Sequence, residues 1–202
     1  MKRFVLLAFL LPLLPAARGG QVSPRAMSAA EETAVLEVAE KAVKAEGLWK
    51  GKVVLTNAEV VPDDAAKPPR RCAVLTYYRY EGDLGIVVCV DVDNRKLVSL
   101  RSEPHLPTSL TPEEIAEAEK LARADPRVQK ALAFYKHLER IEVDTIVAQI
   151  INPEVPGHQH RVARLFFRDH KRNYLNQVPM VDVDLTTGEV RLDVIPNMHG
   201  KK

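Results

Sequence analysis

The residues of this chain best suited to chemistry are few and scattered. His158 and His160 stand two apart in "PGHQH". On an extended segment such a pair shares one face, and two neutral imidazoles suit Cu(II) or Zn(II). A third ligand is missing nearby: with 161–168 extended, His170 would lie roughly 25–30 Å from His160 at about 3.3 Å per residue. The expectation is therefore no resident cofactor, and at most adventitious copper on His158 and His160. Cys72 and Cys89 fall on the two arms of one predicted hairpin, either side of "EGD". In an oxidising compartment they can form a disulfide; two buried free thiols fit the same positions. Asp91/Asp93 and Asp182/Asp184 offer oxygens, but each pair alternates with Val on a strand and lacks the oxygen-dense loop of a Ca²⁺ site. Solvated strand ends are the expected reading. There is no Ser in a glycine elbow and no phosphate loop, so no catalytic residue is assigned.

The elements that must carry these residues are written twice. "VPMVDVDLTTGEVRLDVIP" from Val178 echoes "VVCVDVDNRKLVSLRSEP" from Val87. Arg71/Arg161, Ala73/Ala163, Leu75/Leu165 and Tyr77/Phe167 recur at one spacing, and Asp91/Asp93 are matched with Asp182/Asp184, so the offset stays at 90 to 92. A fixed period marks duplication. Capping boxes open a helix before each strand set: Ser28 with Glu31, and Thr111 with Glu114, where Pro112 takes the first helical position. Val35, Ala39, Ala42 and Val43 recur at helical spacing, as do Ile115, Ala118 and Ala122. Asp125-Pro126 interrupts the second helix, because Pro disfavours helical geometry in the residue before it. Strands are expected over 52–61, 71–80, 85–92 and 96–101, and again over 143–151, 161–168, 177–184 and 189–194. Short turns make them antiparallel. The fold class is α+β: a tandem duplicated unit, each one helix packed on a three- to four-stranded antiparallel sheet. A module of this size is marginal alone, so the halves should share an interface.

"MKRFVLLAFLLPLLPAARGG" has a basic flank, a short apolar core and small residues, the layout of a secretory signal peptide. Its apolar block is shorter than the roughly 20 residues that span a bilayer. The expected organisation is a signal peptide over 1–19, a flexible start over 20–27, repeats over 28–107 and 108–197, and a tail over 198–202. The expected location is secreted or periplasmic, with no membrane association after cleavage. The formal charge is +2, and losing Lys2, Arg3 and Arg18 makes it about −1. No basic surplus points to nucleic acid.

"LTPEEIAEAEKLARADPRVQKAL" from Leu110, followed by "RVARLFF…NYLNQVPMVDVDLTTGEV", resembles the N-terminal region of copper amine oxidases. Those enzymes carry two small, similar α+β domains ahead of a large catalytic β-sandwich. A weaker likeness is to PepSY-type modules, which also end strands in a "vDa.tGev" pattern. Both imply a duplicated, cystatin-like α+β unit. The oxidase's topaquinone arises from a Tyr in Thr-x-x-Asn-Tyr-Asp/Glu. Here Asn173-Tyr174 is followed by Leu175 and has no Thr at the required place, so Tyr174 is expected to be a hairpin-edge residue. The catalytic sandwich has no counterpart in these residues. The resemblance thus implies a non-catalytic module that binds a protein or peptide, or an accessory subunit of an amine oxidase core.

Overall fold

The structure is a computed structural model; it describes residues 26–193 except 151, 156, 170–172 and 176–177. The proposed signal peptide and tail, the "HKR" of the second hairpin and His170 lie outside the described residues. No helix among the described residues is long and apolar enough to cross a membrane.

Helix α1 (Ala29–Ala45) starts where Ser28 accepts from the Glu31 amide while the Glu31 side chain reaches back to the Ser28 N–H. This box satisfies donors that the first turn would otherwise leave bare. At its other end Gly47 adopts φ +66°, and the Leu48 N–H reaches back to the Val43 carbonyl, a left-handed stop that Gly adopts without Cβ strain. Val35, Ala39 and Val43 are buried. They pack on the inner face of an antiparallel sheet in the order β1 (Val53–Asp63), β2 (Arg70–Arg79), β3 (Leu84–Asp91), β4 (Lys96–Pro104). Alternation sets that face: Ala73, Leu75 and Tyr77 from β2, with Ile86, Val88 and Val90 from β3. Each buried Val, Leu or Ile among them contributes roughly 1.5–3 kcal/mol by leaving water.

The second unit repeats the plan. α2 (Pro112–Ala124) opens with the Thr111–Glu114 box. It ends at Asp125, whose extended backbone turns the chain into α3 (Pro126–Leu132), and the Asp125 carboxylate caps α3 at the Arg127 amide. The two pieces bury Ala118, Ala122, Val128 and Leu132 against a sheet ordered β5 (Glu142–Ala148), β6 (Val162–Arg168), β7 (Met180–Asp184), β8 (Val190–Asp193). The protein is thus α+β, two helix-on-sheet units in tandem.

The internal match needs one correction. Cys72 stands opposite Asp91 across β2 and β3, and Val162 stands opposite Asp184 across β6 and β7. The Arg71 carbonyl accepts from the Val92 N–H, and the Arg161 carbonyl from the Leu185 N–H. Asp91 is therefore the counterpart of Asp184, not of Asp182. The two "VDVD" stretches are out of step by two residues, because the chain joining β6 to β7 (169–179) is longer than the hairpin joining β2 to β3 (80–83).

The aspartates are not solvated strand ends either, Asp93 excepted. Asp91, Asp182 and Asp184 are buried. Asp91 accepts from the Asp93 and Asn94 amides, and Asp184 from those of Thr186 and Thr187. Each closes the turn after its strand, the local bonding for which Asp is suited.

Candidate functional site

The units meet where β2 and its hairpin face the start of α2 and β6. Tyr78 and Tyr80 pack edge to face, with ring centres 5.3 Å apart. The Tyr80 hydroxyl crosses to the second unit and donates to Glu114 Oε1 at 2.5 Å. Arg161 forks onto both Glu114 oxygens at 3.2 and 3.0 Å and lies over the Tyr78 ring at 4.3 Å. Its remaining donors reach the Thr108 hydroxyl and the Thr108 and Ser109 carbonyls in the linker. Every nitrogen of this guanidinium is therefore used. Arg161 is 2 % exposed and Glu114 5 %, so neither charge has water to fall back on. Burial alone would push the Glu114 carboxyl up, but bonds from Arg161, Tyr80 and the Thr111 amide outweigh it and hold the pKa below the usual range. Burial, then donation to Asp83 and Glu114, holds the Tyr78 and Tyr80 phenols far above theirs.

This latch was half visible in the sequence. The sequence matches Arg161 with Arg71 and places Glu31 and Glu114 each in a capping box, but as separate features. In the first unit Arg71 grips Glu31 at 2.6 Å. A geometry repeated within one chain thus links the box glutamate of each helix to the arginine at the start of the second strand of each sheet, Arg71 just inside β2 and Arg161 just before β6.

Beside the latch a cavity of about 180 Å³ opens between the units. Tyr78 and Asp83 line it from the first unit, His105 and Leu106 from the linker, and Val147–Ile150 and His160 from the second. The linker lies close because Gly85 has no side chain: a Cβ there would sit 2.5 Å from Leu106 Cβ. Asp83 organises the near wall, accepting from the Tyr78 hydroxyl at 2.7 Å and from His105 Nδ1 at 2.6 Å. On the far wall His160 Nδ1 donates to Asp184 at 2.6 Å. Burial would raise the Asp184 pKa, but His160 and the Thr186 and Thr187 amides lower it.

His158 and His160 sit in a turn rather than on an extended strand, with Gln159 at φ +62°. Their spacing therefore does not place both rings on one face. His160 turns to Asp184, while His158 bonds the Ile150 carbonyl at 3.0 Å and lies against His105 at 5.4 Å between ring centres. Among the described residues no three of His, Cys, Asp and Glu converge as metal ligands. Cys72 and Cys89 are joined in a disulfide, Cα atoms 6.1 Å apart, on the sheet face away from α1. Tyr174 is 60 % exposed, forms a bridge to Arg168 and leans on Phe166.

No family model matches this chain, and no curated protein does. Among solved structures it is similar to a copper-containing benzylamine oxidase from Hansenula polymorpha, at 15 % identity and a TM-score of 0.47. The match covers 82 % of this chain and 29 % of that one. A likeness of that strength carries no functional weight.

The four sheet edges differ in how they are guarded. β1 has a bulge between Leu55 and Asn57 and carries Pro62. β4 carries Lys96, Arg101 and Glu103, and β8 carries Arg191 and Asp193 among its described residues. Bulges, Pro and charges all discourage another strand from pairing. β5 runs in unbroken register with β6, and after Asp144 reads Thr-Ile-Val-Ala. Ile146 is 52 % exposed. A second cavity of about 460 Å³ separates Thr145–Val147 from the linker at Pro107–Leu110. The Thr145 hydroxyl is buried there without a hydrogen-bond partner.

Proposed function

We propose that this protein is a non-catalytic binding module that takes an extended peptide segment of a partner protein into the slot between β5 and the linker. The observation that carries the reading is the β5 edge: free of bulge and Pro, with its charges confined to Glu142 and Asp144 and held by Arg168, flanked by two neighbouring cavities, and apolar from Ile146 to Ala148. An added strand gains affinity from main-chain bonds and specificity from alternate side-chain pockets. The polar atoms beside the slot suit a peptide's N–H groups. Tyr78 Oη, its proton given to Asp83, is left to accept, and so are the outer nitrogens of His105 and His160 when the rings are neutral with Nδ1–H on Asp83 and Asp184. An amine oxidase core to which the chain docks as an accessory subunit would be one such partner.

The test selects peptides from a random display library on the full chain, then maps a synthetic binder by amide shifts. Shifts centred on 142–148, and loss of binding in Ile146→Lys, are expected. Shifts confined to another edge, or no selectable peptide, would overturn the reading. Peroxide release from benzylamine or methylamine after incubation with copper should not exceed the protein-free blank; turnover would overturn the non-catalytic part.

A further inference from the structure

The register of the second sheet determines which main-chain groups of β5 are free. In an antiparallel ladder the N–H and C=O of one residue point to one neighbouring strand, and those of the next residue to the other. The Arg161 carbonyl accepts from the Leu185 N–H and the Phe167 carbonyl from the Leu175 N–H, both on the β7 side of β6. The even-numbered residues Val162, Arg164, Phe166 and Arg168 therefore turn their main chain to β5. Their partners there are Ala148, Ile146, Asp144 and Glu142, with no shift of register. Val143, Thr145 and Val147 are left with N–H and C=O groups directed off the sheet edge, without a backbone partner among the described residues. The linker beside the edge does not take them up: Pro107 has no N–H, and the Thr108 and Ser109 carbonyls are turned to Arg161. The side chains of the same residues lie on the α2 face, since Val143 packs against the helix-side core. There Thr145 and Val147 line the cavity of about 460 Å³ together with Leu110 and Ile115, and the Thr145 hydroxyl is buried without a partner.

We infer that Thr145 selects the segment taken up at β5: the segment carries a hydroxyl or carboxamide side chain opposite Thr145, set between apolar residues opposite Val143 and Val147. The inference rests on the reading of β5 as a peptide edge and adds the chemistry of the ligand. From Val143 to Val147 the outward groups span about 13 Å at about 3.3 Å per residue, so about five residues of segment reach all of them. Side chains directly opposite each other share a face. The residues opposite Val143, Thr145 and Val147 therefore enter the cavity beside Leu110 and Ile115. An aliphatic residue opposite Thr145 leaves its hydroxyl dry and unpaired, whereas Ser, Thr, Asn or Gln satisfies it. A charged residue is disfavoured there by the apolar walls. The intervening residues, opposite Asp144 and Ile146, face the other side of the sheet, where Ile146 is exposed, and are less constrained.

The experiment has two arms, both on the full chain. Peptide selection is run in parallel on wild type and on Thr145→Val, which keeps the shape and removes the hydroxyl; its melting temperature should not fall, because no bonded group is lost. Wild type should select Ser, Thr, Asn or Gln at one fixed position, with apolar residues two before and two after. Thr145→Val should select an aliphatic residue at that position. Replacing the hydroxyl or carboxamide of a wild-type binder by an aliphatic group should weaken it about 5–10-fold on wild type and less than about twofold on Thr145→Val. In the second arm, amide exchange followed by NMR should find Asp144, Ile146 and Ala148 slow in the free protein and Val143, Thr145 and Val147 fast, with bound peptide slowing the latter. This arm and the peptide substitution need only wild type, so they test the inference whatever the stability of the variant. Binding centred on 142–148 with one motif selected by both proteins, with equal losses on both, or with the odd-numbered amides still fast would overturn the inference and leave β5 as the peptide edge. Binding elsewhere, or no selectable peptide, would overturn both.

Discussion

Arg71 and Arg161 hold the same place in the two units, and each grips the glutamate of its own helix's capping box. The first pair is partly exposed, with side chains 14 % and 28 % accessible, and Arg71 also reaches Asp93. The second is sealed between the units, with Tyr80 of the first unit closing over it. A bond that fastens helix to sheet in one unit thus fastens unit to unit in the other. A second contrast runs alongside. The first sheet has the Cys72–Cys89 disulfide on its outer face; at the position equivalent to Cys89 the second has Asp182, held by the fork of Arg164 at 2.7 Å. One unit is stapled covalently. The other relies on charges, including those it shares with its neighbour.

The largest effect should come from breaking the buried pair on one side. Arg161→Met leaves Glu114 charged and dry, and Glu114→Gln does the same to Arg161; losing one partner of a buried pair costs about 3–5 kcal/mol. Equilibrium denaturation should report that loss, with the second unit melting first. The pH dependence has a definite sign. The folded pKa of Glu114 is lowered, so its contribution is fully present above the ordinary glutamate value of 4.5 and fades as pH falls through the lower folded value. Glu114→Gln should flatten that acid limb; an unchanged limb would mean that other carboxylates govern acid unfolding.

Opening the disulfide should come next. The bridge closes a loop with a sequence separation of 17, for which restricting the unfolded chain is worth about 3 kcal/mol. Cys72→Ala/Cys89→Ala should lower the stability of the first unit by that order and leave the Arg161 latch formed. Equal destabilisation of both units would show that they unfold as one.

Smaller still are the caps. Ser28→Ala and Thr111→Ala each remove one side-chain acceptor from a helix start, at a cost of about 1 kcal/mol. Thr111→Ala should cost the more, because its glutamate also holds Arg161 and Tyr80. Urea midpoints of the two variants decide the order.

These contrasts also explain what could be read from the residues alone. The caps, the Asp125-Pro126 break and the alternation of β2 and β3 rest on neighbours close in sequence, so their residue types announce them. The alignment of the two "VDVD" stretches misled because equal wording conceals unequal loops: three residues inserted before β7 shift the offset from 90 to 93. The Arg161–Glu114–Tyr80 contact and the His105–His158 pair join residues 34 to 53 apart. They depend on how the units dock, for which no local pattern exists.

The smallest effect should come from Arg71→Met, and its smallness is the sharpest check on the comparison. Arg71 holds the Glu31 carboxyl down to about 2, first by its own hydrogen bond and then with help from the Ser28 amide and hydroxyl. Low titration of a partly exposed carboxylate still reports a weak interaction, because water solvates both charges once they part and salt screens them. Arg71→Met should therefore shift the melting temperature far less than Arg161→Met, and raised salt should shrink the difference between wild type and variant. Salt should barely alter the effect of Arg161→Met, whose partner is out of reach of ions. If the two substitutions cost the same, or respond alike to salt, burial at the junction is not what separates two otherwise equivalent arginines.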